Sequence, residues 1–291
     1  MSSKTIQWLR IAPFVAAIAV SLGVVTPSHA ADNPYEKGPN PTEASVTAEK
    51  GSFAIAQAPA PSGASNKFNK GTVYYPTATD QGTFGAVAVA PGFTNPESII
   101  SWLGPRLASQ GFVVITLETN TTLDLPESRG EQLLGAIDWL TTQSQYKDRI
   151  DPTRTAVVGF SMGGGGALRA AEDRPALKAA VGLAPWEPYS ALQKVTTPTL
   201  LIGAADDVIA PTGAHAEPFY DHLTKARDKA YLEYNSGNHF KPVEANATNT
   251  KFTLSWLKRF VDNDTRYDQF LCPGPSKSAE FQEYRNTCPL G

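Results

Sequence analysis

One α/β domain, with a mostly parallel sheet covered by helices on both faces, is predicted by three features of the chain. Between about residues 71 and 261, apolar runs of strand length alternate with segments whose apolar residues recur at helical spacing. Several runs, such as Phe84-Gly85-Ala86-Val87-Ala88-Val89-Ala90, are continuous rather than alternating, as strands buried on both faces require. Finally, Thr155-Ala156-Val157-Val158 leads through Gly159-Phe160-Ser161-Met162-Gly163 and further glycines into Ala167-Leu168-Arg169-Ala170-Ala171. That order spells strand, tight turn, helix. A length of 291 residues, 41% of them hydrophobic and 18% charged, suits such a domain and speaks against disorder as the main state.

Taken in order, the chain begins with Lys4 and Arg10, an apolar run over residues 11–22, and Ser28-His29-Ala30, a small-x-small pattern suited to signal peptidase. Residues 1–30 therefore read as a secretory signal, and 31–291 as the functional domain. As a membrane anchor the run is too short and is interrupted by Pro13. Losing Lys4 and Arg10 leaves the acidic side chains in larger excess, which argues against nucleic acid as a partner. The only cysteines, Cys272 and Cys288, lie close together near the C-terminus. In an exported chain such a pair reads as a disulfide.

Residues 31–68 are rich in Pro, Ser and Ala and read as an arm along the domain edge, with one strand at 52–56. Strands follow at 71–75 and 84–90. A helix from about Glu97 places Ile99, Ile100, Leu103 and Leu107 on one side, and Pro105 should bend or shorten it. Next come a strand at 112–117 and a helix from about Arg129, with Leu133, Ile137 and Leu140 at helical spacing. Beyond the glycine-rich turn, strands are expected at 179–184, 199–203 and 230–234, and an amphipathic helix at 253–261. The link from residue 184 to 199 is too short for a cap domain. Ser161 is therefore expected in an open groove that the flank of a long or insoluble molecule could reach.

The pattern Gly-x-Ser-x-Gly between a strand and a helix is the setting of a nucleophile elbow, where neighbouring backbone leaves room only for glycine beside the serine. A serine hydroxyl needs an adjacent base, and that base a third group to hold its tautomer and its cation. Signal removal leaves His215, His222 and His239. His239 directly follows the last predicted strand, at the sheet edge where Ser161 belongs. His215 and His222 lie in or near a probable helix, seven apart and therefore on one face, and read as packing or surface residues. The acid is expected from the loop after strand 199–203, where Asp206 and Asp207 are adjacent and spacing alone does not choose between them. Backbone N–H donors for an oxyanion are expected at Met162 and, from Ala90-Pro91-Gly92-Phe93-Thr94, at Phe93.

Taken together, Gly92-Phe93-Thr94, Gly159-Phe160-Ser161-Met162-Gly163-Gly164-Gly165, Ala184-Pro185-Trp186, Asp207-Val208-Ile209-Ala210-Pro211 and Gly237-Asn238-His239 resemble the bacterial cutinases and poly(ethylene terephthalate) hydrolases. The resemblance runs from about Asn33 to the C-terminal cysteines. It implies a lidless, single-domain α/β-hydrolase fold with Ser161 as nucleophile, Asp207 rather than Asp206 as the acid, and His239 as the base. Phe93 and Met162 match the oxyanion positions, with Phe93 standing where tyrosine is frequent. Trp186 matches a tryptophan that stacks on aromatic acyl groups, His215 the residue packing against it, and Phe219 a neighbour of the same groove. Phe160 and Phe240 depart from the family pattern and are expected to narrow the cleft. A second disulfide of some members would fall near Ala204 and Lys241, where this chain has no cysteine. The implied activity is secreted ester hydrolysis of polyesters and short esters by a monomer, without cofactor or metal. A lipid esterase is the alternative, and a non-catalytic polymer-binding module a remote one.

Overall fold

A computed structural model describes Met1 and residues 33–188 and 192–291. Apart from Met1, the segment read as a secretory signal lies outside the described residues. Asn33–Gly291 forms one compact unit. In chain order its elements are α1 (Glu43–Thr47), β1 (Ile55–Ala60), β2 (Lys70–Pro76), β3 (Phe84–Ala90), α2 (Leu103–Ala108), β4 (Phe112–Glu118) and α3 (Pro126–Thr142). There follow β5 (Ile150–Phe160), α4 (Met162–Asp173), β6 (Ala179–Leu183), β7 (Thr199–Ala204), α5 (Ala216–His222), β8 (Lys229–Tyr234), α6 (Ala247–Val261) and β9 (Phe281–Asn286).

The strands form a 9-stranded sheet in the order β1-β2-β4-β3-β5-β6-β7-β8-β9. From β4 to β8 every pairing is parallel, and antiparallel strands finish both edges. Alternate residues feed two cores: Val87, Val89 and Val158 join Leu103, Leu107 and Leu257 on the face of α2 and α6, while Ala86, Ala88 and Val157 meet Leu133, Leu168 and Phe219 on the face of α3, α4 and α5. The expected doubly covered sheet is the observed one, which is the α/β-hydrolase architecture. Its parallel strands end together, so the loops after β3, β4, β5, β7 and β8 share one edge, where such sheets carry their sites.

Differences from the sequence reading lie where apolar pattern is weak. The first strand is at Ile55–Ala60 rather than 52–56, because Ala56-Gln57-Ala58-Pro59 pairs through its backbone along an edge, where proline is tolerated. Helix α1 was not expected; Thr42 and Ser45 close a reciprocal cap on it. The helix foreseen from Glu97 splits into a single 3-10 turn and α2, with Pro105 in the first turn of α2, where its missing N–H costs nothing. Helix α3 starts three residues before Arg129, on Pro126. Helix α6 starts at Ala247, after an Asn246 side chain that accepts the Asn249 N–H at 2.7 Å. Strand β9 carries Gln282, Glu283, Arg285 and Asn286 and so lacks a strand signature. It is held to β8 beside the Cys272–Cys288 disulfide, which is present as read.

Candidate active site

The turn from β5 into α4 puts Ser161 at φ 55° and ψ −120°, a conformation disfavoured for any residue with a Cβ. Its neighbours must be glycine. A Cβ on Gly159 would lie 1.9 Å from the Gly163 oxygen, and one on Gly163 would lie 2.4 Å from the Pro91 oxygen. The strain is held from both sides, with Ser161 N–H donating to Leu183 O and Trp186 N–H donating to Ser161 O, each at 2.9 Å.

Two further loops at the same edge bring the partners. His239 Nε2 lies 2.8 Å from Ser161 Oγ, and His239 Nδ1 lies 2.7 Å from Asp207 Oδ2. All three side chains are buried. A carboxylate beside Nδ1 favours the tautomer with its proton there, leaving the Nε2 lone pair for the serine hydroxyl. Asp207 Oδ1 also accepts the Ile209 and Ala210 N–H groups at 2.9 and 2.8 Å. Burial works against its charge, but the His239 bond and these amides prevail, holding the carboxyl below the usual carboxylate range. The neighbouring Asp206 is exposed, and its Oδ2 instead accepts the Gly237 N–H at 3.0 Å. Geometry thus separates two aspartates that spacing could not.

Met162 is the first residue of α4, so its N–H has no acceptor within the helix. On the other side of the serine, the loop after β3 is fixed around Phe93: Thr94 N–H donates to Thr122 O at 2.7 Å and Asn95 N–H to Gly92 O at 3.1 Å. The Phe93 N–H has no acceptor among the described residues. Arg129, read from the sequence only as a helix start, turns out to tie this region together. Fully buried, it donates to Pro91 O and Thr122 O at 2.9 Å each and to Asp124 O at 2.7 Å. Burial lowers its pKa to about 10, with Asp124 opposing. Its only sequence signal is a cation at a helix start, where the macrodipole disfavours one.

A family model described as PET hydrolase-like matches residues 29–289. This chain belongs to the PET hydrolase-like family. It is 54% identical over 286 residues to a bis(hydroxyethyl) terephthalate hydrolase of Streptomyces coelicolor, covering 97% of this chain and 92% of that protein. It is 50% identical over 268 residues to cutinase est1 of Thermobifida alba, covering 91% and 90%. With a cutinase of Thermobifida fusca it shares 49% identity over 292 residues, covering 99% and 95%.

Around the serine of this PET hydrolase-like chain, the aromatic side chains named from sequence divide into two groups. Trp186 is half-buried beside the elbow, with the half-buried His215 ring 5.7 Å from its own. Burial lowers the pKa of His215. Phe93 and Phe240 are 40% and 39% exposed, open to a ligand. Phe160 and Phe219, by contrast, are fully buried, which corrects their reading as substrate contacts. The Phe160 side chain points into the α2/α6 core and backs the His239 ring at 5.0 Å, so it cannot narrow the cleft by contact. Phe219 backs His215 edge-on at 5.7 Å from the opposite core. His215 is the cap before α5 and His222 lies within it, so the two stand near and in one helix.

Sequence reading missed an apolar rim. Leu123, Leu125, Val208 and Ile209 are 54–86% exposed, and together with Phe93 and Phe240 they occupy the loops after β3, β4, β7 and β8. No group of three or more His, Cys, Asp or Glu placed to hold a metal occurs among the described residues, nor does a helix long and apolar enough to cross a membrane.

Proposed function

We propose that this chain is a secreted serine hydrolase that cleaves carboxylic esters of polyesters and of their short soluble fragments. The reading rests on the continuous line of contacts from Asp207 through His239 to Ser161, 2.7 and 2.8 Å long, beside two backbone N–H groups. His239 takes the proton of Ser161 as its oxygen attacks the ester carbonyl, and Asp207 stabilises the resulting imidazolium. The carbonyl oxygen, negative in the tetrahedral intermediate, is held by the Phe93 and Met162 N–H groups; each such donor is worth roughly 100- to 1,000-fold in rate. Collapse expels the alcohol, which leaves with the proton from His239. Water then enters, is deprotonated by His239, and releases the acid from Ser161 by the same steps. Trp186 supplies a flat face for an aromatic acyl group, and Phe93 and Phe240 its walls.

The names of the relatives, cutinases and a terephthalate diester hydrolase, support polyesters as substrates. The apolar rim supports the same choice over dispersed lipid, because exposed apolar loops around an open cleft suit an extended solid. Residues 1–30 act in this reading as the export signal. The disulfide fits an oxidising compartment. One chain carries every group used, so the monomer is taken as the working unit.

Ser161→Ala is expected to lower turnover of 4-nitrophenyl butyrate by about four to six orders of magnitude and to abolish labelling by a fluorophosphonate. An unaltered rate would reject the assignment. Release of acid from polyester film by the parent protein, alongside the soluble ester, separates polyester hydrolysis from lipid esterase activity.

A further inference from the structure

We propose that the ion pair between Arg169 and Glu187 is a strap that sets the position of the Trp186 ring beside the nucleophile and thereby tunes the preference for aromatic acyl groups. The inference rests on the reading of Ser161 as nucleophile and Trp186 as a wall of the acyl site. Trp186 sits on the loop leaving β6, a segment that begins with Ala184 at the unusual φ of 42°. Its backbone is bolted to the elbow by the bond to Ser161 O at 2.9 Å. The next anchor comes one residue later. The Glu187 side chain, only 2% exposed, receives Arg169 Nε on Oε2 and Arg169 Nη2 on Oε1, both at 3.0 Å.

This two-toothed geometry fixes orientation as well as distance, which a single ammonium contact cannot do. Arg169 is carried by α4, the helix that Ser161 itself caps, and its Nη1 is steadied by Glu172 at 3.3 Å. The strap thus ties the tryptophan loop to the same rigid body that carries the nucleophile. The ring behind the tryptophan belongs to His215, half-buried at the cap of α5. His215 Nδ1 has no partner among the described residues. His215 in turn lies against the indole. Glu187 therefore fixes the main chain next to the tryptophan through its carboxylate. An acyl group that stacks on the indole depends on this arrangement; an acetyl group is too small to use it.

The test compares kcat and KM on 4-nitrophenyl acetate and 4-nitrophenyl benzoate for Glu187→Gln, Arg169→Gln, Arg169→Lys and the exchanged pair Arg169→Glu with Glu187→Arg. Acetate turnover is expected to stay within about two-fold. For the benzoate, KM should rise and kcat/KM fall by roughly three- to ten-fold, the size of one aromatic contact. Arg169→Lys, which keeps the charge and loses the fork, should fall between, and the exchanged pair should recover part of the selectivity. Equal losses on both esters, or an unchanged ratio, would overturn the strap while leaving the serine assignment standing. Should the Glu187 variant not fold, Arg169→Lys, at a side chain 21% exposed, carries the same comparison.

Discussion

Two buried aspartates, at opposite ends of β5, are held by nitrogen groups at nearly the same distance and do unlike work. Asp207 faces His239 at 2.7 Å beyond the carboxyl end of the strand. Asp262, after α6, faces Lys258 Nζ at 2.5 Å and Arg154 Nη1 at 2.8 Å near the strand's start, about 20 Å away along the backbone. The remaining bonds of Asp207 come from neutral amides, and its partner is an imidazole whose other nitrogen faces the Ser161 hydroxyl. Asp262 meets an ammonium and a guanidinium instead. Both are themselves buried and are further fixed by backbone carbonyls, Arg154 by Thr83 O at 2.8 Å and Lys258 by Gln110 O at 3.2 Å. The Asp262 backbone oxygen also accepts from Asn33 at 2.8 Å, which ties the N-terminal arm to the same point. A buried carboxylate becomes a place for chemistry when its partner can move a proton, and a clamp when its partners cannot.

The largest expected effect breaks the first of these regions without touching the second. Asp207→Asn should lower kcat by about four orders of magnitude, since an amide that donates to Nδ1 selects the wrong tautomer. Asp206→Asn, one residue away, should remain within a few-fold of the parent because it keeps an oxygen for the Gly237 N–H. Both are read from initial rates on a soluble ester, and a reversed ranking would move the acid by one residue. Next in size is the converse experiment. Asp262→Ala leaves Lys258 and Arg154 buried without their shared anion, and should cost about 3–5 kcal/mol of stability in denaturant unfolding. In the fraction that stays folded, kcat should be unchanged. A large loss of kcat there would mean that the two ends of the sheet are coupled.

The two regions also differ in how far the sequence reveals them. Ser161 and His239 are legible because the chemistry imposes a local pattern, glycines around a serine between strand and helix, and a histidine just after a strand. Choosing Asp207 over Asp206 required either the family resemblance or the coordinates. The Asp262 cluster leaves no such trace. Its members come from β5, α6 and the arm before α1, and each side chain alone reads as an ordinary surface polar group. Burial direction is lost for the same reason: Phe160 follows the strand into the core, while Phe240, on the loop beside His239, faces solvent. Strand β9 was invisible because its polar side chains serve surface contacts, as where Arg285 meets Glu217 and Glu283, and its backbone pairing alone makes it a strand.

The smallest effect sharpens the comparison through pH. The Asp207 carboxyl is lowered in the fold, so its contribution to stability is fully present above the unfolded value of about 3.9 and is lost as the pH falls through its folded value. Asp262 runs the other way. Complete burial raises its pKa against the pull of Lys258 and Arg154, so its term is present below about 3.9 and is lost as the pH rises through the folded value. The stability of the parent protein alone mixes the two slopes. The difference between parent and Asp207→Asn isolates one of them, because Asp262 is common to both. Measured from urea midpoints, that difference should be level above about pH 5 and should shrink toward acid. A difference that grew toward acid would mean that His239 and the two amides do not outweigh the burial of Asp207, and the contrast between the two carboxylates would then rest on geometry alone.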